Sequence, residues 1–397
     1  MKKLLEGVRV IDFGMAAAGP SGSKLLAEFG AEVIVAEPIM GTSTRWMTMY
    51  YDFWSDGKKS VPIDVKNPEG KEVLLKLVSS ADVFMSNFRA KALRSLGLTY
   101  EDLKKVNPGI IYAVLYGWGK EGPLKDSPAY DITAFWARGG YMRDMAEKGS
   151  ILVAPQGVAD CSMGEILAAG ISAALYHKEK TGEGTELHTS IFNQAIYLNN
   201  FQSIGVQFGE KFQKTRLAPT EALVNTYRCK DGEYVLMFDN QFDRHFFKIL
   251  EALGRGDLAG DPRWAKIEDT KWDRAPELVA ILDEAFAKLT SDEAVAALAA
   301  IDVSIEKCCS FEDTLSDPQV LENKYLFDWE LSSGPHKGET IKMPASPIFV
   351  DGENNSGDFR RAPRLGEHTM ELLTSVGYTE EQVRDLAERK IVTLETE

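Results

Sequence analysis

In the first half of the chain, short continuous apolar runs alternate with segments of helical spacing. Residues 8–13, 32–36, 60–65, 82–87 and 110–115 are rich in Val, Ile, Leu and Phe and read as strands buried on both faces. Between them, residues 23–29 form a short helix closed by Gly30. Pro68-Glu69-Gly70 opens another helix, with Val73, Leu74, Leu77 and Val78 on one face, and Thr99 caps a third that runs to Val106. The alternation predicts an α/β fold around an open, parallel, Rossmann-like sheet. Ligands collect at the carboxyl ends of such strands. The loops at residues 14–20, at 87–89 and from Gly117 onward all leave those ends.

The second half reads differently. Residues 130–140 make a short helix with a glycine end, 186–191 a strand, and 192–209 a helix. Composition shifts near Glu210, and 211–220 is a polar linker. Residues 223–228 and 233–238, joined through Lys230-Asp231-Gly232, read as an antiparallel hairpin. Helices at 242–254, 272–289 and 291–300 follow, then a strand at 301–305 and a short helix begun by Asp317-Pro318. The predicted organisation is a large domain (1–209), a linker (210–222), a smaller α+β domain (223–330), a Gly/Pro/Ser-rich return segment (331–363), and C-terminal helices (364–397) that pack back on the large domain.

One helix stands apart. Pro155 and Gly157 punctuate its approach, and Ile166 to Tyr176 are mostly apolar and small. Asp160 at its mouth has two readings. It can cap the helix, as Asp commonly does. Alternatively, Ser162-Met163-Gly164-Glu165 forms an S-x-x-E capping box, which leaves Asp160 just outside, facing a cleft and kept ionised by the helix dipole. An ionised, poorly solvated carboxylate beside a cleft can act as a nucleophile.

With 397 residues, 44% hydrophobic and 26% charged, the chain can bury a sizeable core. A net charge of −15 argues against nucleic acid and acidic membrane surfaces as partners. The four cysteines form no C-x-x-C pair, which suits a reducing, cytoplasmic location. No uncharged run approaches a membrane span, no signal-peptide pattern opens the chain, and the five histidines show no metal-ligand spacing. The first βα loop has Gly14, Gly19 and Gly22 but no G-x-G-x-x-G, so a nucleotide cofactor is not expected although Glu37 stands where a ribose-binding acid would.

Ordered motifs sharpen this picture. They are Gly7-x-x-Val10-x-Asp12, Ala18-Gly19-Pro20, Gly30-Ala31-Glu32-Val33-Ile34, Asn67-Pro68-Glu69-Gly70, Asn87-Phe88-Arg89, Gly117-x-Gly119-x-x-Gly122-Pro123 and Leu365-Gly366-Glu367-His368-Thr369. In this succession the chain resembles the class III CoA-transferases over essentially its whole length. Tyr130-Asp131-x-Thr133-Ala134-Phe135-x-Ala137-Arg138-Gly139-Gly140 looks most like the branch acting on 2-hydroxy acids and enoyl-CoAs, with phenyllactate/cinnamoyl-CoA and 2-hydroxyisocaproate/isocaprenoyl-CoA as examples.

The resemblance implies coenzyme A as acyl-CoA substrate, a carboxylic acid as acceptor, no metal, and Asp160 as nucleophile. It implies CoA contacts at Ala17, Ala18, Ile63, Asp64, Lys66, Asn87, Phe88, Arg89 and Tyr130, with Lys66, Arg89 and Arg94 as candidates for the phosphates. It also implies an interlocked homodimer, whose site lies between one subunit's large domain and the other's small domain. The chain departs from formate- and oxalate-handling relatives. It has Ala17 where they have Gln, Pro38 where they have Arg, and Ser95 at their phosphate-binding Arg. Phe238-Asp239-Asn240-Gln241 replaces the glycine-rich loop some of them carry. Trp46, Met47, Met49, Tyr50, Tyr51 and Trp54 either line an acyl pocket or form a core loop. Two other functions fit the same fold. One is an acyl-CoA racemase, whose base would be a His where this chain has Tyr130; the other is a non-catalytic CoA-binding subunit.

Overall fold

The fold is taken from a computed structural model, which describes residues 1–46, 48–210, 215–332, 334–355 and 361–395, with 48 and 49 as backbone only. Parts of the linker at 211–220 and of the return segment at 331–363, and Met47, lie outside the described residues.

In chain order the elements are β1 (Arg9–Phe13), α1 (Ala18–Glu28), β2 (Glu32–Glu37), α2 (Ser43–Trp46), α3 (Thr48–Ser55), β3 (Lys59–Pro62), α4 (Pro68–Ser79), β4 (Val83–Ser86), α5 (Ala90–Leu96), α6 (Tyr100–Val106) and β5 (Ile111–Tyr116). A π-helical stretch, Asp131–Ala137, and the short α7 (Tyr141–Asp144) precede α8 (Val158–Thr181), β6 (Glu186–Ser190) and α9 (Ile191–Leu198). The six strands form one parallel sheet in the order β3-β2-β1-β4-β5-β6. Chain direction across the sheet reverses between β1 and β4, so the crevice beyond their carboxyl ends is where this topology receives a ligand. The core beneath packs Ile11, Ile34, Phe84 and Tyr112 with Leu74 and Leu77 of α4 and with Leu372, Leu373 and Val383 from the C-terminal region.

The chain divides into two compact units. The first comprises Met1–Gly139, Ala154–Asn199 and Asp317–Glu397, and the second Gly140–Val153 and Asn200–Ser316. These divisions fall at other points than the sequence boundaries near 209, 222 and 330. The second unit contains α10 (Asn200–Gly205), β7 (Val224–Arg228), β8 (Tyr234–Phe238), α11 (Phe242–Ala252), α12 (Ala275–Phe286), α13 (Ser291–Ala299) and β9 (Ser304–Lys307). Its antiparallel sheet, β7-β8-β9, covers a core that includes Tyr227, Phe246 and Phe286. The first unit finishes with α14 (Pro318–Glu322), the hairpin β10 (Leu326–Glu330) and β11 (Thr340–Pro344), α15 (Thr369–Ser375) and α16 (Glu380–Glu388). Thr99 and Thr379 cap α6 and α16 through reciprocal capping boxes.

Three local readings are corrected. α1 starts at Ala18, five residues before the expected Ser23. Pro20 is tolerated there because the N–H groups of a first turn have no partner within the helix. The expected helix at 192–209 breaks at Asn199 into α9 and α10. Residues 131–137 are π-helical, where an ordinary short helix was expected. Among the described residues, α8 is long and apolar enough to cross a membrane. Here its Met163, Leu167, Ala168 and Ile171 are buried where it packs on α1 and the sheet, as in a core helix.

Candidate active site

The site is built around the crossing of α1 and α8. A Cβ on Gly164 would stand 2.5 Å from the backbone nitrogen of Gly22, and one on Gly22 would stand 3.1 Å from the Gly164 carbonyl oxygen. Glycine at both positions lets the two helices approach this closely. The approach brings the first turn of α8, with Asp160, to the start of α1.

Asp160 does not lie outside its helix. α8 begins at Val158 after Gly157, whose φ of 88° places it in the left-handed region. Ser162 is no cap either, because its hydroxyl donates to the Val158 and Ala159 carbonyls at 3.0 and 3.2 Å. The group that secures this helix start is Asp131. Buried in the π-helical stretch, it accepts the Gly157 N–H at 2.6 Å.

Among the described residues no group is hydrogen-bonded to the Asp160 carboxylate. Burial, and after it the charge of Asp131, pushes the Asp160 pKa up to about 7. Loss of solvent and a second carboxylate therefore work against the helix dipole, which was expected to keep Asp160 ionised.

Asp160 lines a cavity of about 650 Å³ at the β1/β4 crevice. Its walls bring together Met15, Ala16 and Ala18 from the first loop, Asn87, Phe88 and Arg89 after β4, and residues 125–130. Phe88 stacks on Phe13 at a centroid distance of 5.0 Å, which fixes the loop after β4 to the sheet. Arg89 donates through Nη1 to the Asp126 carbonyl at 3.0 Å, joining that loop to the far wall. Tyr130 is 69% exposed and stands at the rim.

The remaining expected contacts are elsewhere. Ala17 is buried just behind the wall as the N-cap of α1. Ile63, Asp64, Lys66 and Arg94 are not on the wall. Ile63 is buried and bridges to Val392, and the Asp64 carboxylate accepts the Lys66 N–H at 3.1 Å. Of the aromatic stretch, Tyr51 and Trp54 are buried while Trp46 and Tyr50 are exposed, and none of these four lines this cavity.

Sequence reasoning missed Lys91 and Lys125, two cations on the cavity wall, and the contact of Asp131 with the α8 turn. Asp131 was legible only as a motif letter beside Tyr130. A second cavity of about 600 Å³ is lined by Arg45, Arg361 and Arg364. Each of those arginines is already paired, with Glu37, Glu367 and Glu395 respectively. Among the described residues no three His, Cys, Asp or Glu side chains are placed to hold a metal.

Comparison with known proteins gives a consistent result. The chain is 36% identical over 402 residues to an (R)-2-hydroxy-4-methylpentanoate CoA-transferase of Clostridioides difficile, covering 98% of this chain and 99% of that protein. It is 31% identical over 411 residues to a cinnamoyl-CoA:phenyllactate CoA-transferase of Clostridium sporogenes, covering 99% and 98% respectively. The crystal structure of a CAIB/BAIF family protein from Brucella suis superposes with a TM-score of 0.79 at 27% identity, over 95% of this chain and 100% of that one. Residues 5–369 match the model of CoA-transferase family III, and the chain belongs to that family.

Proposed function

We propose that the enzyme moves CoA from an enoyl-CoA to a 2-hydroxy carboxylic acid, with Asp160 as the covalent nucleophile. The observation that carries this reading is Asp160 itself, a half-buried carboxylate with no hydrogen-bond partner among the described residues, facing a cavity at the sheet's crevice. Two relatives named for 2-hydroxy acids, matched over nearly their full length, support the substrate class.

In the proposed sequence, the Asp160 carboxylate attacks the thioester carbonyl, giving a mixed anhydride and CoA thiolate. The thiolate attacks the aspartyl carbonyl of the anhydride, releasing the first acid and leaving an aspartyl-CoA thioester. The acceptor carboxylate then displaces the thiolate to form a second anhydride. The thiolate takes the new acyl group and frees Asp160. Each step exchanges one activated carboxyl for another, so no ATP is required. Both intermediates must be kept from water. Arg89, Lys91 and Lys125 line this cavity, and in this reading they pair with the CoA phosphates. The assembly is a homodimer in this reading, and four unpaired thiols suit a cytoplasmic location.

Mixing enzyme with acyl-CoA and quenching in hydroxylamine should convert Asp160 to a hydroxamate, located by peptide mass. Asp160→Ala should lose both the label and the exchange. Exchange that survives this substitution would remove Asp160 from the mechanism. A panel of aromatic and branched aliphatic 2-hydroxy acids would then assign the acceptor. Solvent deuterium entering the α-carbon of an acyl-CoA without any acceptor would instead indicate a racemase.

A further inference from the structure

Asn87 is the first residue beyond β4, and its side chain makes two hydrogen bonds to one residue of the opposite loop. Nδ2 donates to the Met15 carbonyl at 2.7 Å, and Oδ1 accepts the Met15 N–H at 2.9 Å. β1 and β4 pair in parallel as far as Phe13 and Ser86. The amide thus ties Met15, two residues past the end of β1, to the first residue past β4.

The next residue, Ala16, has φ of 58°, a left-handed conformation that residues other than glycine rarely adopt. Its carbonyl is held from the other side by the Thr44 hydroxyl at 2.9 Å. The amide also packs against the start of α1, where a Cβ on Gly19 would stand 3.2 Å from Asn87 Cγ. Glycine at 19 therefore leaves room for the Asn87 amide. The loop held in this way supplies Met15, Ala16 and Ala18 to the same cavity wall as Asp160.

We propose that Asn87 is a positioning residue. By clamping Met15 it holds Ala16 left-handed, and so sets the wall at 15–18 against Asp160. The inference rests on Asp160 being the nucleophile. It is distinct from a CoA-contact role for Asn87, because it rests on the amide oxygen and the one amide N–H that are engaged with Met15.

The decisive measurement is the single-turnover rate of Asp160 adduct formation from acyl-CoA, beside the Kd for free CoA. Met15 is exposed, so water can replace the two lost bonds in Asn87→Ala and the fold should survive. Asn87→Ala should slow adduct formation about 10²-fold, the scale of a misplaced reacting group, while Kd for CoA changes less than about three-fold. Asn87→Asp keeps the acceptor for the Met15 N–H but sets a carboxylate oxygen against the Met15 carbonyl, and it should be slowed similarly. It is the variant to use if Asn87→Ala fails to fold.

Adding Ala16→Gly to Asn87→Ala should recover about five-fold, because glycine adopts the left-handed conformation without the clamp. A Kd weakened ten-fold with the adduct rate unchanged would make Asn87 a CoA ligand and overturn the proposal. So would an unchanged rate in both Asn87 variants, or no recovery with glycine at 16. If the wild-type chain forms no adduct at Asp160, the nucleophile reading fails first, and that result is distinct from these.

Discussion

Two groups of buried acids border α1, and the protein handles them in opposite ways. In the first, Asp12 at the middle of the sheet meets Lys58, which is wholly buried and lies 3.5 Å away. Lys58 also donates to the Ser23 hydroxyl at 2.6 Å and to the Pro20 carbonyl at 2.9 Å. Burial lowers the Lys58 pKa to about 8 against the opposing pull of Asp12 and Asp56. Alongside, Lys24 pairs with both Glu28 and Asp56 at 2.8 Å, and Asn355 donates to Glu28 at 3.0 Å. In the second group, Asp131 and Asp160 share a site with no cation paired to either among the described residues. Where the acids only hold α1 in place, a lysine stands beside each of them, Lys24 serving both Glu28 and Asp56, and burial still raises the Asp56 pKa. Where one of them faces the cavity, no lysine offsets burial, and the Asp160 pKa is raised by burial and a second acid together.

The largest effect should come from breaking the paired side. Lys58→Met removes the counter-charge and leaves Asp12 buried alone, which should cost about 3–5 kcal/mol. The midpoint of urea unfolding would fall accordingly. Combining it with Asp12→Asn should restore much of the loss, because the penalty belongs to the orphaned charge. A single variant that lost under about 1 kcal/mol would mean the Asp12–Lys58 contact is not a working pair, and the contrast with Asp160 would weaken.

A smaller effect should follow from easing the unpaired side. Asp131→Asn keeps an oxygen to accept the Gly157 N–H but removes the charge beside Asp160. Attack needs the Asp160 carboxylate ionised, so the acid limb of kcat/KM should lie near pH 7 in the wild type. In the variant that limb should move to lower pH. It should remain above the ordinary carboxylate range, because burial is the larger cause and is untouched. A limb that stays in place would show that Asp131 serves only as the cap of α8.

The fold around these groups was largely legible in the sequence, whereas the charge pairing was not, and the reasons differ by region. The parallel strands are continuous runs of Val, Ile and Leu, so burial on both faces identified them without tertiary information. The loops at strand ends then located the crevice and brought residues 14–20 and Asn87, Phe88 and Arg89 to it, while Asp160 was joined to them through the family resemblance. The start of α1 was missed because Gly19, Pro20 and Gly22 look like loop residues. Gly19 and Gly22 leave room for the Asn87 amide and for Gly164, and such contacts leave no periodic trace. The start of α8 was misplaced because S-x-x-E is a local signal, whereas the N-cap is Gly157, held by Asp131 that the fold brings to it. The raised pKa of Asp160 followed from the same blindness. A dipole can be read from helix position, but burial and a neighbouring acid cannot.

The smallest effect is on stability, and it should separate the two groups by sign. The folded-state pKa of Asp160 is about 7, raised from 3.8. The unfolded chain therefore releases this proton first as pH rises. Between about pH 4 and about 7 stability falls with rising pH, and above that the full penalty is present. Asp160→Asn removes the penalty, so it should raise the melting temperature by about 3 °C at pH 8 and by less at pH 5. Removing Lys58 costs stability, whereas neutralising Asp160 adds it. A nucleophile whose loss stabilises the fold is what an unpaired buried carboxylate kept for chemistry predicts. An Asp160→Asn enzyme that melted lower than wild type at pH 8 would mean that the carboxylate is held by contacts in the folded protein, and the opposition between the two groups would not stand.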